Sequence, residues 1–410
     1  MIKQGWGATF RAVASGRMLV ALMMGFASGL PLLLTGSTMQ AWLRESGVDL
    51  ATIGAAAIIG LPYTLKFLWA PLFDRYTMPL LGRRRGWLAL SQAALVLALL
   101  ALSVSDPAAS LWGVALAALL VTFFSASQDI VIDAYRRESL SDQELGLGSA
   151  MFVNGYRVGM LLAGGGGLIL ADLLTFSGMY QLMALLMGLC IMVTLAAPEP
   201  GKAAGSPRNL RQAVIEPFME FFKRPEAIAI LTFILLYKLG DTLASAINVP
   251  FYLDLGFSKS EIGAVAKLFG FWATLIGGTL GGIWILRIGL YRSLWIFGFL
   301  QMASTFGFVL LAQVGNNLPM LTGVIAVENF TGGLGTAAFV GFMGAMTDRR
   351  FTATQYALLS SLMGVPRVIL SAPTGWMADE MGWTVFFLLC TVLAIPGLLM
   401  IRRFKDWEHA

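Results

Sequence analysis

Long apolar runs recur along the whole chain, each of roughly the length that crosses a bilayer, and each closes in a short polar or basic loop. A helix that crosses the hydrocarbon core needs ~20 mostly apolar residues. On that measure the pattern predicts twelve helices, over 18–40, 52–73, 86–105, 108–135, 146–170, 179–197, 226–249, 258–286, 290–314, 318–346, 354–378 and 383–401. The first run follows Lys3, Arg11 and Arg17. It is too long for the core of a cleaved signal and lacks a small-residue cleavage site, so a permanent first helix is expected.

Between the sixth and seventh runs the pattern changes. Pro198-Glu-Pro-Gly201 opens an irregular stretch, and Leu210, Val214, Phe218 and Phe221 then recur at helical spacing. That stretch is either an amphipathic helix lying on a membrane surface or a plain flexible linker. The expected organisation is an N-terminal six-helix half (1–197), a cytoplasmic linker (198–225) and a C-terminal six-helix half (226–410).

The halves repeat. Gly47-Val-Asp-Leu-Ala-Thr-Ile-Gly54 resembles Gly256-Phe-Ser-Lys-Ser-Glu-Ile-Gly263, and Asp49 and Ser258 are each placed to cap the following helix. Ser258 with Glu261 spells a capping box. Tyr156-Arg157-Val158 matches Pro366-Arg367-Val368, and Asp172 matches Asp379. Two related six-helix halves joined by a basic linker have the layout of the major facilitator fold, an all-α membrane protein.

Composition agrees. The chain is 57% hydrophobic and only 12% charged, with mean hydropathy +0.76, too little charge for a water-covered surface. The net charge of +5 does not point to nucleic acid, because the basic residues sit between apolar runs and form no continuous stripe. They report orientation. With the N-terminus inside, the inner segments hold 21 Lys and Arg and the outer loops hold 2, so both ends are expected in the cytoplasm. Cys190 and Cys390 lie in apolar runs and lack metal-ligand spacing. The only histidine, His409, is in the tail, so neither a metal nor a cofactor is expected. A membrane-embedded enzyme is not expected either, since such enzymes usually gather His, Asp or a metal at one interface.

Charged side chains inside membrane helices are costly and mark function or internal pairing. Here they are Lys66, Asp129, Asp133, Arg157, Lys238, Asp241, Lys267, Glu328 and Arg367, five basic and four acidic. They either line a central cavity, whose excess of cations suits an anionic cargo, or pair to fix helix packing. Ser125, Asp129 and Asp133 recur every four residues and share one helical face, with Gln128 beside them. A carboxylate in a partly dry cavity is suited to carry a proton, a role for which Asp129, Asp133 and Glu328 are the candidates; Asp133 is also placed to pair with Arg136 or Arg137. Tyr63, Trp69, Tyr156, Tyr237 and Trp272 lie near these charges, and Tyr63, Lys66 and Trp69 fall on one face; aromatic faces stack on sugars. Gly164 to Gly167 permits close helix contact and has no phosphate-loop context.

The loop after helix two, Asp74-Arg75-Tyr-Thr-Met-Pro-Leu-Leu-Gly82-Arg83-Arg84-Arg85, resembles the Asp-Arg-x-Gly-Arg-Arg loop of major facilitators, stretched by a few residues. The resemblance implies a latch that holds the two halves in one conformation; the alternative is a basic loop that only sets topology. The second half keeps Arg287, Gly289 and Arg292, with Leu286 in place of the aspartate.

Several strings together resemble the AmpG family of muropeptide permeases. They are Gly25-Phe-Ala-Ser-Gly-Leu-Pro31, Lys66-Phe-Leu-Trp69, Pro71-Leu-Phe-Asp-Arg-Tyr76, Gly82-Arg-Arg-Arg-Gly-Trp87, Ser125-Ala-Ser-Gln-Asp-Ile-Val131, Tyr237-Lys-Leu-Gly-Asp241 and Ala353-Thr-Gln-Tyr-Ala-Leu-Leu359. The resemblance runs from about residue 25 to 400. It implies proton-driven import of N-acetylglucosaminyl-anhydro-N-acetylmuramyl peptides across the bacterial inner membrane, for cell-wall recycling and β-lactamase induction. The cargo-binding residues expected are Tyr63, Lys66, Trp69, Gln128, Arg157, Tyr237, Lys238, Asp241, Lys267 and Arg367; protons and membrane lipid are the other partners, and a monomer is expected. Longer family members carry further C-terminal hydrophobic segments, to which these expectations do not extend. Acetyl-coenzyme A transporters share some of the motifs, so another anion is the alternative cargo.

Overall fold

The structure is a computed structural model and describes residues 14–48, 52, 56–79, 81–201, 210–258, 261–366, 370 and 373–404. Asp49 and Arg367 fall outside these residues.

Helices α1 (Gly16–Leu34) and α2 (Ser37–Glu45) form the first crossing. The second is assembled from short pieces: 3₁₀ turns at Ala56–Gly60 and Lys66–Leu68 alternate with α3 (Leu61–Leu65) and α4 (Ala70–Arg75). Pro62 and Pro71, each near the start of a piece, lack the amide that a continuous ladder would need. The first half continues with α5 (Arg84–Ser103), α6 (Leu111–Ser139), α7 (Leu145–Leu161), a π turn at Leu162–Gly166, and α8 (Gly167–Ala196). Helix α9 (Leu210–Lys223) is the linker helix. The second half holds α10 (Ala227–Leu236), α11 (Leu239–Ala246), α12 (Asn248–Asp254), a π segment at Ile262–Phe269, α13 (Gly270–Ile288), α14 (Leu290–Val314), α15 (Leu318–Ala345), α16 (Thr352–Val365) and α17 (Thr374–Met400).

Among the described residues, nine helical stretches are long and apolar enough to cross a membrane. One of them, Leu145–Ala196, has 52 residues. At 1.5 Å per residue it would reach ~78 Å, over twice the ~30 Å hydrocarbon core. It is two crossings, broken at Thr175 (φ 67°). Gly382 (φ 76°) breaks α17 in the same way. With the segmented second span and α16, the arrangement is consistent with twelve crossings.

The backbone repeats as the sequence does. Of the seven described residues with positive φ, six form pairs, Gly47 with Gly256, Gly82 with Gly289, and Thr175 with Gly382, separated by 209, 207 and 207 residues; Gly315 stands alone. The capping box forms as spelled. The Ser258 hydroxyl bonds Glu261 at 2.8 Å, and the Glu261 carboxylate accepts the Ser258 amide at 2.8 Å. Ser141 and Glu144 build the same device ahead of α7.

Helices touch through glycine. A Cβ on Gly25 or Gly29 of α1 would lie 2.0 Å from the carbonyl oxygen of Phe152 or Tyr156 on α7. On Gly155 it would lie 1.9 Å from that of Leu22. Small residues four apart on both helices let the backbones meet, which is how helices associate where lipid is as apolar as the core. In the Gly164–Gly167 run a Cβ on Gly164 would lie 2.8 Å from Leu33 of α1, whereas one on Gly165 would meet nothing within 4 Å. Gly155→Ala is therefore expected to lower the melting temperature of the detergent-solubilised protein by several degrees, while Gly165→Ala leaves it within about a degree, read by size-exclusion thermal-shift assay.

The halves join chiefly where α7 packs on α13 and α15, and where α16 packs on α4 and α6. Each half has its own apolar core, one around Leu30, Leu99, Val121 and Met183, the other around Phe251, Phe308 and Phe387.

Candidate functional site

Two polar clusters, one in each half, carry the charged residues. In the first half, Asp129 and Asp133 lie on one face of α6 and look at Lys66, which opens the 3₁₀ turn of the second span. Lys66 Nζ is 3.9 Å from Asp133 Oδ2, and both residues are buried. Asp133 also takes Arg136 at 3.0 Å, while Arg137 pairs with Asp142. Asp129 has a different setting: the Ser28 hydroxyl of α1 donates to it at 2.5 Å, and Tyr63 and Ser125 lie beside it.

In the second half the chain unwinds between α10 and α11, and Lys238 stands at that break. Its ammonium meets Asp241 at 3.3 Å and Thr336 of α15 at 2.8 Å. Asp241 faces Glu328 of α15 on one side and Arg157 of α7 on the other. Glu328 accepts from Ser304 at 2.5 Å. Arg157 of the first half thus lies within electrostatic reach of Asp241 in the second. Broken helices at membrane depth are tolerated where they line a cavity, and their loose turns aim side chains inward. Lys267 lies in the π segment of the eighth span, where only the backbone is described.

Three expected cargo residues point elsewhere. Trp69 donates to Ser127 at 3.0 Å and packs on Phe123, 4.9 Å between centroids. Ser127 lies two residues from Asp129, about 200° around α6, so the indole is on the far side of that helix. Gln128 donates to the Ala27 carbonyl at 2.9 Å and braces α6 to α1. Tyr237 stacks on Phe339 and donates to the Leu294 carbonyl at 2.9 Å, inside the core of the second half.

A third cluster closes the end that carries the termini. Asp74 accepts from the amides of Ala353 (3.2 Å) and Thr354 (2.9 Å) and from the Thr354 hydroxyl (2.8 Å), at the first turn of α16. A carboxylate there satisfies free amides and complements the helix dipole. Arg84, wholly buried, binds Asp74 at 2.7 Å, Glu138 at 2.6 Å, and the Thr352 hydroxyl at 2.8 Å. Arg83 adds a 2.9 Å contact to Glu138, and Thr352 bonds the same carboxylate. Arg136 donates to Tyr356 at 2.7 Å and lies over the Phe152 ring. Two buried cations (Arg83, Arg84) meet two buried anions (Asp74, Glu138), and the hydroxyls and amides of α16 come from the other half. Of the expected gating residues, Arg75 and Arg85 take no part in this join: Arg75 lies by Tyr76, and Arg85 donates to the Leu195 carbonyl. Nearby in the loop after α15, Arg350 holds the Asp348 carboxyl below its usual range, overriding the opposing effect of partial burial.

Sequence reasoning missed Glu138, Thr352, Thr354 and Tyr356. Their signal is thin: an acid directly after Arg136-Arg137, and cap-forming threonines at the head of a span.

The Major Facilitator Superfamily pattern matches residues 17–239 and 234–407. A protein named anhydromuropeptide permease from Escherichia coli K12 is 45% identical over 387 residues, covering 94% of this chain and 79% of that one. The chain belongs to the anhydromuropeptide permease family of the Major Facilitator Superfamily. It is a multi-pass membrane transporter. An uncharacterized protein of Haemophilus influenzae is also similar, 42% identical over 397 residues, 94% of this chain and 93% of that one. In fold the permease is similar to the proton:xylose symporter XylE, with TM-score 0.70 at 12% identity, covering 95% of each chain. It is also similar in fold to the human organic anion transporter MFSD10, with TM-score 0.65 at 15% identity, covering 97% of this chain and all of that one.

Removing Asp74 takes away several charge-assisted hydrogen bonds across the join, each worth about 1.5–3 kcal/mol. Asp74→Ala is therefore expected to shift the balance of closed and open forms at this end by roughly 10-fold or more. Turnover should change several-fold with apparent affinity within about twofold, measured by transport kinetics in proteoliposomes; wild-type turnover would remove the latch role.

Proposed function

We propose that this permease imports anhydromuropeptides from periplasm to cytoplasm across the bacterial inner membrane, coupled to inward proton flow. The observation that carries the cargo is the 45% identity, across 94% of the chain, to a protein of that activity by name. The physical chemistry supports it. Such cargoes bear peptide carboxylates and sugar hydroxyls, which the cations Lys66, Arg157 and Lys238 and the hydroxyls of Tyr63 and Thr336 are chemically suited to meet. Lys238 and Asp241 are the more open ion pair, their side chains 19% and 23% exposed. A cargo carboxylate is positioned to compete with Asp241 for Lys238.

The 21 to 2 distribution of Lys and Arg supports both termini in the cytoplasm. On that orientation the Asp74–Arg84–Glu138 join closes the cytoplasmic side, so cargo would enter from the periplasm. Cargo recognition, coupling and release then proceed without a covalent step, so no enzymatic chemistry is assigned.

For the proton we favour Asp129. Its direct partner is a neutral hydroxyl, whereas Asp133 is met by two cations. Protonating Asp129 would loosen the hold on Lys66 and let the second span move; releasing that proton inside would restore it. Asp129→Asn mimics the protonated form at nearly constant shape. It is expected to abolish gradient-driven accumulation while cargo exchange across the membrane persists. Full accumulation by this variant would move the proton site to Asp133, Asp241 or Glu328.

The direct test is uptake of a labelled anhydromuropeptide into right-side-out membrane vesicles, with and without an imposed proton gradient. Accumulation that needs the gradient supports the proposal; no uptake, with uptake of another anion instead, favours the alternative cargo. Lys238→Gln should raise KM about 10-fold or more for cargo with free carboxylates, as expected for one lost charge-assisted bond. Cargo with amidated carboxylates should change about twofold at most. Equal losses would make Lys238 a packing residue.

A further inference from the structure

The linker helix α9 has two unlike faces. One is fixed to the gate. Ala213 and Phe221 are fully buried, and Phe221 joins the core of the second half with Phe233 and Phe342. Glu220 binds Arg224 at 2.7 Å and accepts from Gln355 at 2.6 Å. Gln355 also donates to the Pro217 carbonyl and accepts the Asp348 amide, and Arg224 donates to the Met346 carbonyl. Gln355 sits between Thr354, which bonds Asp74, and Tyr356, which bonds Arg136. The helix therefore grips the same turn of α16 that the gate closes on.

The other face is apolar and bare. Val214, Ile215, Met219 and Phe222 are 42%, 42%, 49% and 55% exposed and recur at helical spacing as one stripe. An apolar stripe of this size on a water-facing surface would be unfavourable. Helix α9 packs on α4 and α10, which carry exposed apolar side chains of their own, Leu72 and Ile228. Those spans face lipid. Besides the paired Arg224, the linker sequence carries Lys202, Arg208, Arg211 and Lys223, the charge that anionic headgroups attract.

We propose that the occupant of this stripe is the membrane itself: α9 lies in the headgroup layer, with Val214, Ile215, Met219 and Phe222 in the acyl boundary. The gate at the head of α16 is then fastened to the lipid surface through Glu220, Gln355 and Arg224. The proposal concerns an interaction surface and does not depend on the cargo.

The test places a nitroxide at Met219→Cys or Phe222→Cys, and at Lys223→Cys on the polar side, in the full-length protein in nanodiscs containing phosphatidylglycerol. Cys190 and Cys390 are buried, and label on the parent protein gives the background. At 219 and 222, collisions with oxygen are expected to exceed those with a water-soluble nickel complex several-fold, and the ratio should reverse at 223. Equal nickel access at all three positions would overturn the proposal, since the stripe would then face water. Shielding of 219 and 222 from both agents would also overturn it, by showing that protein, such as a second copy of the chain, covers the stripe. Positions 219 and 222 are read independently, so if one variant fails to fold the other decides.

Discussion

An ionised side chain within an apolar slab must be met by opposite charge or by hydrogen bonds, and most of this architecture follows from that demand. Arg84 illustrates it: a guanidinium with no exposed surface, held by Asp74, Glu138, the Phe73 carbonyl and the Thr352 hydroxyl. Because Thr352 and the amides that bind Asp74 belong to the other half, the charges are fully satisfied only when the halves meet. A join of this kind is strong while intact and costly to leave half made, so it favours two discrete arrangements over a continuum.

The same constraint shapes the centre. Lys66 and Lys238 each stand where a helix departs from α geometry, one at a 3₁₀ turn and one at a break between α10 and α11. Loose turns free the backbone to aim these ammonium groups at Asp133 and Asp241. Arg157 of α7 lies within electrostatic reach of Asp241, which places charges of the two halves near one another. A proton or a cargo carboxylate changes the local balance of charge, and the structure must answer by re-pairing.

Much of this was legible in the sequence. Apolar length gave the spans, and the ninth is Leu290–Val314, matching its predicted bounds. The repeat was visible in Gly47 and Gly256 because only glycine enters a left-handed turn at little cost. The Asp74 loop was legible because arginine clusters beside an aspartate are conspicuous in an apolar chain. Helix rotation was not. Where lipid is as apolar as the interior, spans carry apolar residues on every side, and their pattern does not say which side faces the core. Trp69, Gln128 and Tyr237 were assigned to the cavity for that reason, and all three face packing partners instead. Cross-half partners such as Asp74 and Thr354 are 280 residues apart, and nothing local joins them.

The central claim is that hydrogen bonds from the head of α16 to the buried charges of the first half keep the terminus-bearing end closed at rest. It is tested most directly by electron–electron resonance distances between nitroxides at Tyr76 and Arg349, both exposed and on opposite halves of that end. Without cargo, one short and narrow distance is expected, with a longer one gaining population when the Asp74 carboxylate is replaced by asparagine. A broad or long distance in the resting wild-type permease, unchanged by that replacement, would contradict the account.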